Sequence, residues 1–325
     1  MTALPPTPIL PTTVTDTLTA AGLPVEHVLE VASRTLAEDL AWGPDVTTEA
    51  TLTSPTSAER ARNERVEATS TTTPTGTADV VARRAGTLAG VPVAAAVAYT
   101  LAAQQGVAIE VDLVAADGDR VGPGDVALTV SGPLHCLLTA ERSLLNLLGQ
   151  LSGVATATAA WSDALAGSPT RVRDTRKTVP GLRLLQKYAV RCGGGVNHRM
   201  GLGDAALIKD NHVAAAGSVA AAYAAVRRYD PHIPVEVECD TLAQVREAID
   251  AGADLVLLDN MSFDQLTEAV ALCRPAGVRT EASGGLELAD AAAVGATGVD
   301  YVAVGALTHS APVLDLGLDL RSSSS

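Results

Sequence analysis

A chain of 325 residues, 47% hydrophobic and only 2% aromatic, is long enough for one large or two ordinary domains and must build its core mainly from Ala, Val and Leu. Its formal charge of −14 argues against nonspecific affinity for nucleic acid or anionic membrane, which an acidic surface repels. Cys136, Cys192, Cys239 and Cys273 stand far apart without a CxxC pair, which speaks against a zinc ribbon or disulfide framework and for a reduced, cytoplasmic setting.

Residues 1–22 carry no basic n-region and no hydrophobic stretch, so they read as a disordered leader and not as a secretory signal. No run reaches the eighteen or so apolar residues of a spanning helix. Residues 23–50 place Val28, Val31, Leu36 and Leu40 at helical spacings. The stretch from about Ser54 to Gly76 is rich in Thr, Ser, Pro and charge without apolar periodicity, the composition of a flexible insertion. From Ala78 a strand (ADVVARRAG) is followed by a helix near Val93–Gln105 and a short strand, IEVDLV. The tight turn AADGDRVGPGD leads to another strand, VALTVSGP. Mixed elements without a regular repeat predict an α+β N-terminal domain over 23–141. A long helical segment, about Leu134–Leu165, leads out of it with the sequence ERSLLNLLGQLSG.

After Pro169 the rhythm changes. Strand-like VEVEC, LVLLDN, VRTEAS and VDYVAVG recur roughly every twenty to twenty-four residues with a helical pattern in each gap, and RVRDT and AALIKD precede them. The pattern predicts an incomplete (β/α) barrel of about six or seven units over 142–309, with an open doubly wound sheet as the competing architecture. Barrels gather function at the C-terminal ends of their strands. Here those ends carry Thr175, Arg176 and Lys177, then Lys209, Glu238, Asp259, Ser283 with Gly284, and Gly305.

The stretch from Arg171 to Arg199 holds eight of the chain's 23 Lys and Arg residues. An even spread would put roughly two there. A basic run is more often a solvated helix face, and Arg183 and Arg191 fit that bland description. Arg176 and Lys177 at a strand end, and His198 with Arg199 after the triplet Gly193–Gly195, point instead to a ligand with several carboxylates or phosphates. Glu238 and Asp259 suit a Mg²⁺ shared with phosphate oxygens, or equally a salt bridge to Lys177 or Lys209. The glycines after the last two strands suit a phosphate site. GLGDAA matches a dinucleotide fingerprint only superficially, because NHRM and not an apolar strand precedes it. The residues alone thus describe a barrel enzyme for a phosphorylated substrate and a second anion.

The linked strings TRKTVPGLRLLQKYAV, GGGVNHR and GLGDAALIKDNH, with EVE, LLDN, EASGG and YVAVGALTH, resemble the quinolinate phosphoribosyltransferase family from about Leu23 to Leu320. That resemblance implies phosphoribosyl transfer from phosphoribosyl pyrophosphate to quinolinate with decarboxylation, a Mg²⁺ cofactor, and a homodimer with shared active sites. It also implies a tail over 310–325 that returns to the first domain. Carried over by motif, Arg176, His198 and Arg199, with Arg142 of a neighbouring subunit, would meet the quinolinate carboxylates. Lys177 and Lys209 would contact quinolinate or pyrophosphate, and Glu238 and Asp259 the ribose or metal. Ser283, Gly284 and Gly305 would hold the 5′-phosphate, with Thr175 and His309 in supporting places. Gln186 departs from the family's usual Glu, which implies a loosened contact to a basic residue. A phosphoribosyltransferase for another carboxylated heterocycle and a noncatalytic phosphoribosyl-pyrophosphate sensor are the rival expectations.

Overall fold

The computed structural model describes residues 8–52 and 74–322. It divides into two compact units, Met1–Gly153 with Pro312–Ser325, and Val154–Ala311.

The first unit begins earlier than the sequence suggests. Residues Thr12–Ala20 form helix α1, which buries Val14 and Leu18, so a disordered leader over 1–22 does not describe them. The threonines that read as disorder are absorbed locally: the hydroxyls of Thr15, Thr17 and Thr19 donate to carbonyls four residues earlier. The long helix expected over 23–50 is two helices, α2 (Val25–Asp39) and α3 (Val46–Leu52). Pro44 cannot continue a helix, and Asp45 starts the next by accepting from Thr48 N–H at 3.0 Å. Of the insertion expected at 54–76, residues 54–73 lie outside the described residues, while Thr75 and Gly76 open a strand.

That strand, β1 (Thr75–Ala82), sits inside an antiparallel sheet. It pairs with β5 (Val126–Pro133) and β12 (Leu316–Leu320), and β3 (Glu110–Leu113) pairs with β5 on the far side. A small ribbon joins β2 (Gly86–Thr87) to β4 (Arg120–Val121). Helix α4 (Val91–Gln105) is apolar nearly all round, and its Ala- and Val-rich surface is buried accordingly. Helix α5 (Leu134–Ala164) is 31 residues long and supplies residues to both units.

The second unit is a parallel sheet of β6 (Arg171–Arg173), β7 (Ala206–Ile208), β8 (Val235–Cys239), β9 (Leu255–Asp259), β10 (Arg279–Ser283) and β11 (Tyr301–Ala303). The order is β6-β11-β10-β9-β8-β7. Consecutive strands from β7 to β11 are neighbours, and the last pairs with the first. A doubly wound sheet would reverse its order partway; this one never does, which is barrel topology left open between β6 and β7. Into that seam the chain inserts residues 174–205, including α6 (Arg183–Cys192), and Val196 makes one parallel bridge to Arg173. The remaining helices are α7 (Asp210–Ala216), α8 (Val219–Tyr229), α9 (Leu242–Asp250), α10 (Phe263–Cys273), α11 (Ala291–Thr297) and α12 (Ala306–His309).

Strand alternation divides the side chains. Val172, Ile208, Val237, Val256, Leu258, Ala282 and Val302 belong to the apolar core shared with the helices. The residues between them, Arg173, Glu236, Glu238, Asp259, Glu281 and Ser283, line cavities inside the barrel. Charge therefore occupies an interior that such barrels usually fill with branched aliphatic side chains. Among the described residues, no helix is long and apolar enough to cross a membrane.

Candidate active site

A cavity of about 440 Å³ opens at the C-terminal ends of the barrel strands, lined by Thr175, Arg176, Lys177, His198, Arg199, Lys209, Glu238, Asp259, Glu281 and Ser283. Gly305 belongs to the same rim: a side chain there would come within 3.0 Å of Lys177 Cδ, 3.3 Å of His309 Nε2 and 3.5 Å of Thr175 Oγ1. All of these stand among the site residues named from the sequence, except Glu281. Arg142 lies in the other unit, on α5, with an exposed side chain 3.9 Å from Glu141.

The basic segment is held from beneath by a buried ion pair. Lys187 on α6 is paired with Asp174, and neither side chain is exposed to solvent. Burial pushes the Lys187 ammonium below its ordinary value, while Asp174 opposes that shift. Asp174 also accepts from Asn197 Nδ2 at 2.5 Å and from His198 N–H at 2.9 Å, and Lys187 donates to His198 O at 2.9 Å. The glycine triplet has a steric cause: a Cβ on Gly193 would lie 2.6 Å from Thr158 Cβ, so this turn packs against α5 with no room for one. Arg183 donates to Thr178 Oγ1 and Met200 O, and Arg191 to Asn197 Oδ1; both are structural.

Arg176 and Arg199 converge on the cavity. Arg176 Nε is buried without a partner. Arg199 donates to Ala205 O at 2.9 Å, and burial first, then the charge of Arg176, lower its pKa. Two half-buried guanidiniums beside each other call for an anion between them.

His198 lines the cavity but has both ring nitrogens engaged within the chain. Nδ1 accepts from Arg199 N–H at 2.7 Å, so the ring proton resides on Nε2, which donates to Glu236 Oε2 at 2.7 Å. In this geometry the ring joins the Arg199 backbone to a strand carboxylate. His198, Glu236 and Glu281 are close enough together to hold a cation. Arg173 already pairs with Glu281, and the Nε2 proton blocks the third donor, so this donor set does not fit a metal.

Across the cavity, Lys209 is paired with Glu238, as the bland alternative for that carboxylate has it. Asp259 Oδ2 accepts from Asn260 Nδ2 at 2.6 Å. The loop after β10 needs glycine: Gly284 has φ +105, and a Cβ there would stand 2.8 Å from Asn260 N. Thr308 Oγ1 donates to Lys177 O at 2.8 Å, tying the Lys177 loop to α12. His212 accepts from Lys209 N–H at 2.9 Å, a cap on α7 and not a ligand.

Gln186 is buried; its Oε1 accepts from Val179 N–H at 2.8 Å and its Nε2 donates to Thr308 O at 2.7 Å. The amide thus joins two loops of the site.

Comparison with known proteins agrees with this architecture. The family model for the quinolinate phosphoribosyl transferase C-terminal domain matches residues 154–319, and that for the N-terminal domain matches 45–152. The chain is 48% identical over 289 residues to the carboxylating nicotinate-nucleotide pyrophosphorylase of Mycobacterium leprae, covering 88% of this chain and 95% of that protein. It is 43% identical over 209 residues to the human protein of that name, covering 63% of this chain and 70% of the relative. The solved nicotinate-nucleotide pyrophosphorylase of Francisella tularensis matches with a TM-score of 0.79 at 34% identity, over 92% of this chain and 98% of that one. With both domain models matched in order, the chain belongs to the quinolinate phosphoribosyltransferase family.

Proposed function

We propose that the chain carries out its family's reaction in this cavity: phosphoribosyl transfer from phosphoribosyl pyrophosphate to the ring nitrogen of quinolinate, with loss of pyrophosphate and CO₂, giving nicotinate mononucleotide. The observation that supports it most is the convergence of Arg176 and Arg199, whose mutual repulsion a dicarboxylate relieves. A monocarboxylate would neutralise only one of them.

The other residues divide the work by chemistry. Lys177 and Lys209 offset charge on the pyrophosphate as it leaves. Glu238 and Asp259 face a ribosyl centre that gains oxocarbenium character, where fixed carboxylates lower the barrier. Ser283, Gly284 and Gly305 offer backbone that a 5′-phosphate can approach closely, with Thr175 and His309 beside them. A positioned ring nitrogen is the nucleophile, so no covalent enzyme adduct forms.

Mg²⁺ belongs to this reading. Lys209 takes one oxygen of Glu238 and Asn260 one of Asp259, which leaves each carboxylate an oxygen for an ion held jointly with pyrophosphate. Bound there, the ion would supply charge neutralisation to the leaving group. A homodimer belongs to it as well, with Arg142 completing the cavity of a second copy. The four free cysteines suit a reducing cytoplasm.

The test is release of CO₂ from carboxyl-labelled quinolinate, with and without phosphoribosyl pyrophosphate and Mg²⁺. Release that depends on the phosphoribosyl donor supports the reading. Folded protein that releases none, while transferring phosphoribose to another heterocycle, overturns it.

A further inference from the structure

The reaction has a step that the rim residues leave without an agent. When the carboxylate next to the ring nitrogen departs as CO₂, the carbon–carbon bonding pair stays on the ring carbon as a carbanion beside the pyridinium nitrogen. Nicotinate mononucleotide carries hydrogen at that carbon. A proton must be delivered.

Among the acids that line the substrate cavity, Glu281 is set apart. It lies inside β10 beneath the rim, its side chain has no solvent exposure, and its Oε1 is buried without a hydrogen-bond partner. The groups that face it come from several elements: Arg173 from β6, Asp174 just after that strand, Glu236 from β8, and His198 from the seam, whose Nε2 stands 3.7 Å from Oε1. Tyr301 of β11 lies under the Arg173 guanidinium at 4.5 Å. We propose that Glu281, a residue of this cavity, is the acid that protonates the ring carbon as CO₂ leaves, an inference that rests on the reaction proposed above.

The step balances. The carbanion takes H⁺ from the Glu281 carboxyl, whose O–H electron pair remains on the oxygen as a carboxylate. Arg173, already paired to the other oxygen, offsets the new charge. CO₂ leaves with no external oxidant or reductant. Glu281 regains its proton from water. A second cavity, about 510 Å³, opens at the N-terminal ends of β7–β10; it shares His198 and Arg199 with the first and is also lined by Arg173 and Glu236. It gives the buried cluster a solvent side away from the substrate.

The electrostatics agree. Burial above all, and then the charge of Glu236, push the Glu281 carboxyl up to about 8, with Arg173 pulling the other way. At neutral pH the group therefore holds the proton that it has to give.

The test follows pyrophosphate release and carbon–hydrogen product separately in single turnovers, for the wild type and for Glu281→Gln, which keeps the shape but has no proton to donate. Glu281→Gln is expected to release pyrophosphate while forming nicotinate mononucleotide roughly 100-fold more slowly, the size typical of general acid catalysis. The carboxylated mononucleotide should accumulate, because CO₂ recombines with an uncaptured carbanion. In the wild type, product formation should fall as pH rises above about 8, with pyrophosphate release unaffected. Glu281→Gln that makes product at the wild-type rate overturns the proposal and leaves the reaction intact. Should that variant fail to fold, the wild-type profile decides: product formation flat from pH 7 to 9 overturns it equally. Wild type that releases neither pyrophosphate nor CO₂ faults the proposed reaction instead.

Discussion

Lys187 and Asp174 form an ion pair with no solvent exposure on either side chain, directly beneath the segment that carries His198 and Arg199. Charges so placed are expensive singly, and each is held by hydrogen bonds the other does not provide. Lys187→Met should therefore cost about 3–5 kcal/mol in urea unfolding by leaving the Asp174 carboxylate uncompensated. The double variant with Asp174→Asn should recover part of that loss. A double variant no more stable than the single would show that the pair's charge is not what matters.

Gln186 predicts a smaller and more local effect. Gln186→Glu keeps the acceptor for Val179 N–H but replaces the donor to Thr308 O with a buried acceptor. About 1–3 kcal/mol of stability should be lost. Because Thr308 also holds the Lys177 loop, KM for phosphoribosyl pyrophosphate should rise with it. Urea unfolding and steady-state kinetics check the two halves.

Glu281 has a consequence for stability as well as chemistry. Its folded pKa of about 8 lies above the ordinary 4.5, so between those values the native state binds more protons than the unfolded chain. Stability must then fall as pH rises from about 4.5 to about 8 and level off above, the reverse of a carboxylate whose pKa folding lowers. Denaturant titrations over that range should show the slope in the wild type and its reduction in Glu281→Gln.

Arg142 offers a test of assembly. Arg142→Ala and Arg176→Ala should each abolish most turnover. Mixed after dissociation, the two inactive proteins should regain up to about a quarter of wild-type activity, since random pairing of a two-fold dimer restores one complete site in half of the pairs. Inactivity of the mixture, with hybrid dimers shown by mass, would remove Arg142 from a neighbour's site.

Gly284→Ala probes the proposed phosphate loop. A Cβ at φ +105 would press on the Asn260 backbone, so the loops after β9 and β10 must part. KM for phosphoribosyl pyrophosphate should rise about tenfold or more, with quinolinate binding changed less. Equal changes for both substrates would argue against a phosphate role.

The sequence made the barrel units and the strand-end residues legible because both announce themselves locally. Strand and helix periods alternate, and a polar residue follows each apolar run. What it hid lies one position pair deeper. VEVEC and RTEAS carry Glu236 and Glu281 inside strands that a fully buried parallel sheet would make continuously apolar, and RVR does the same with Arg173. That interruption was the available signal; which face the charges take is set only by the closure of the barrel. The tautomer of His198 was not legible at all, because it depends on Arg199 N–H folding back on the ring. The helix at Thr12–Ala20 was hidden by β-branched residues whose hydroxyls turn inward on their own backbone.

The open seam between β6 and β7 gives this barrel a mechanical property that a closed one lacks. Arg176, Lys177, His198 and Arg199 ride on a segment with a single bridge to the sheet, so side-chain bonds, above all the buried Lys187–Asp174 pair and the Gln186–Thr308 bond, do the holding that a strand ladder does elsewhere. Glu238, Asp259 and Ser283 lie on paired strands whose register fixes them. A substitution at Lys187, Asp174 or Gln186 should therefore displace the cationic half of the rim and leave the carboxylate half in place.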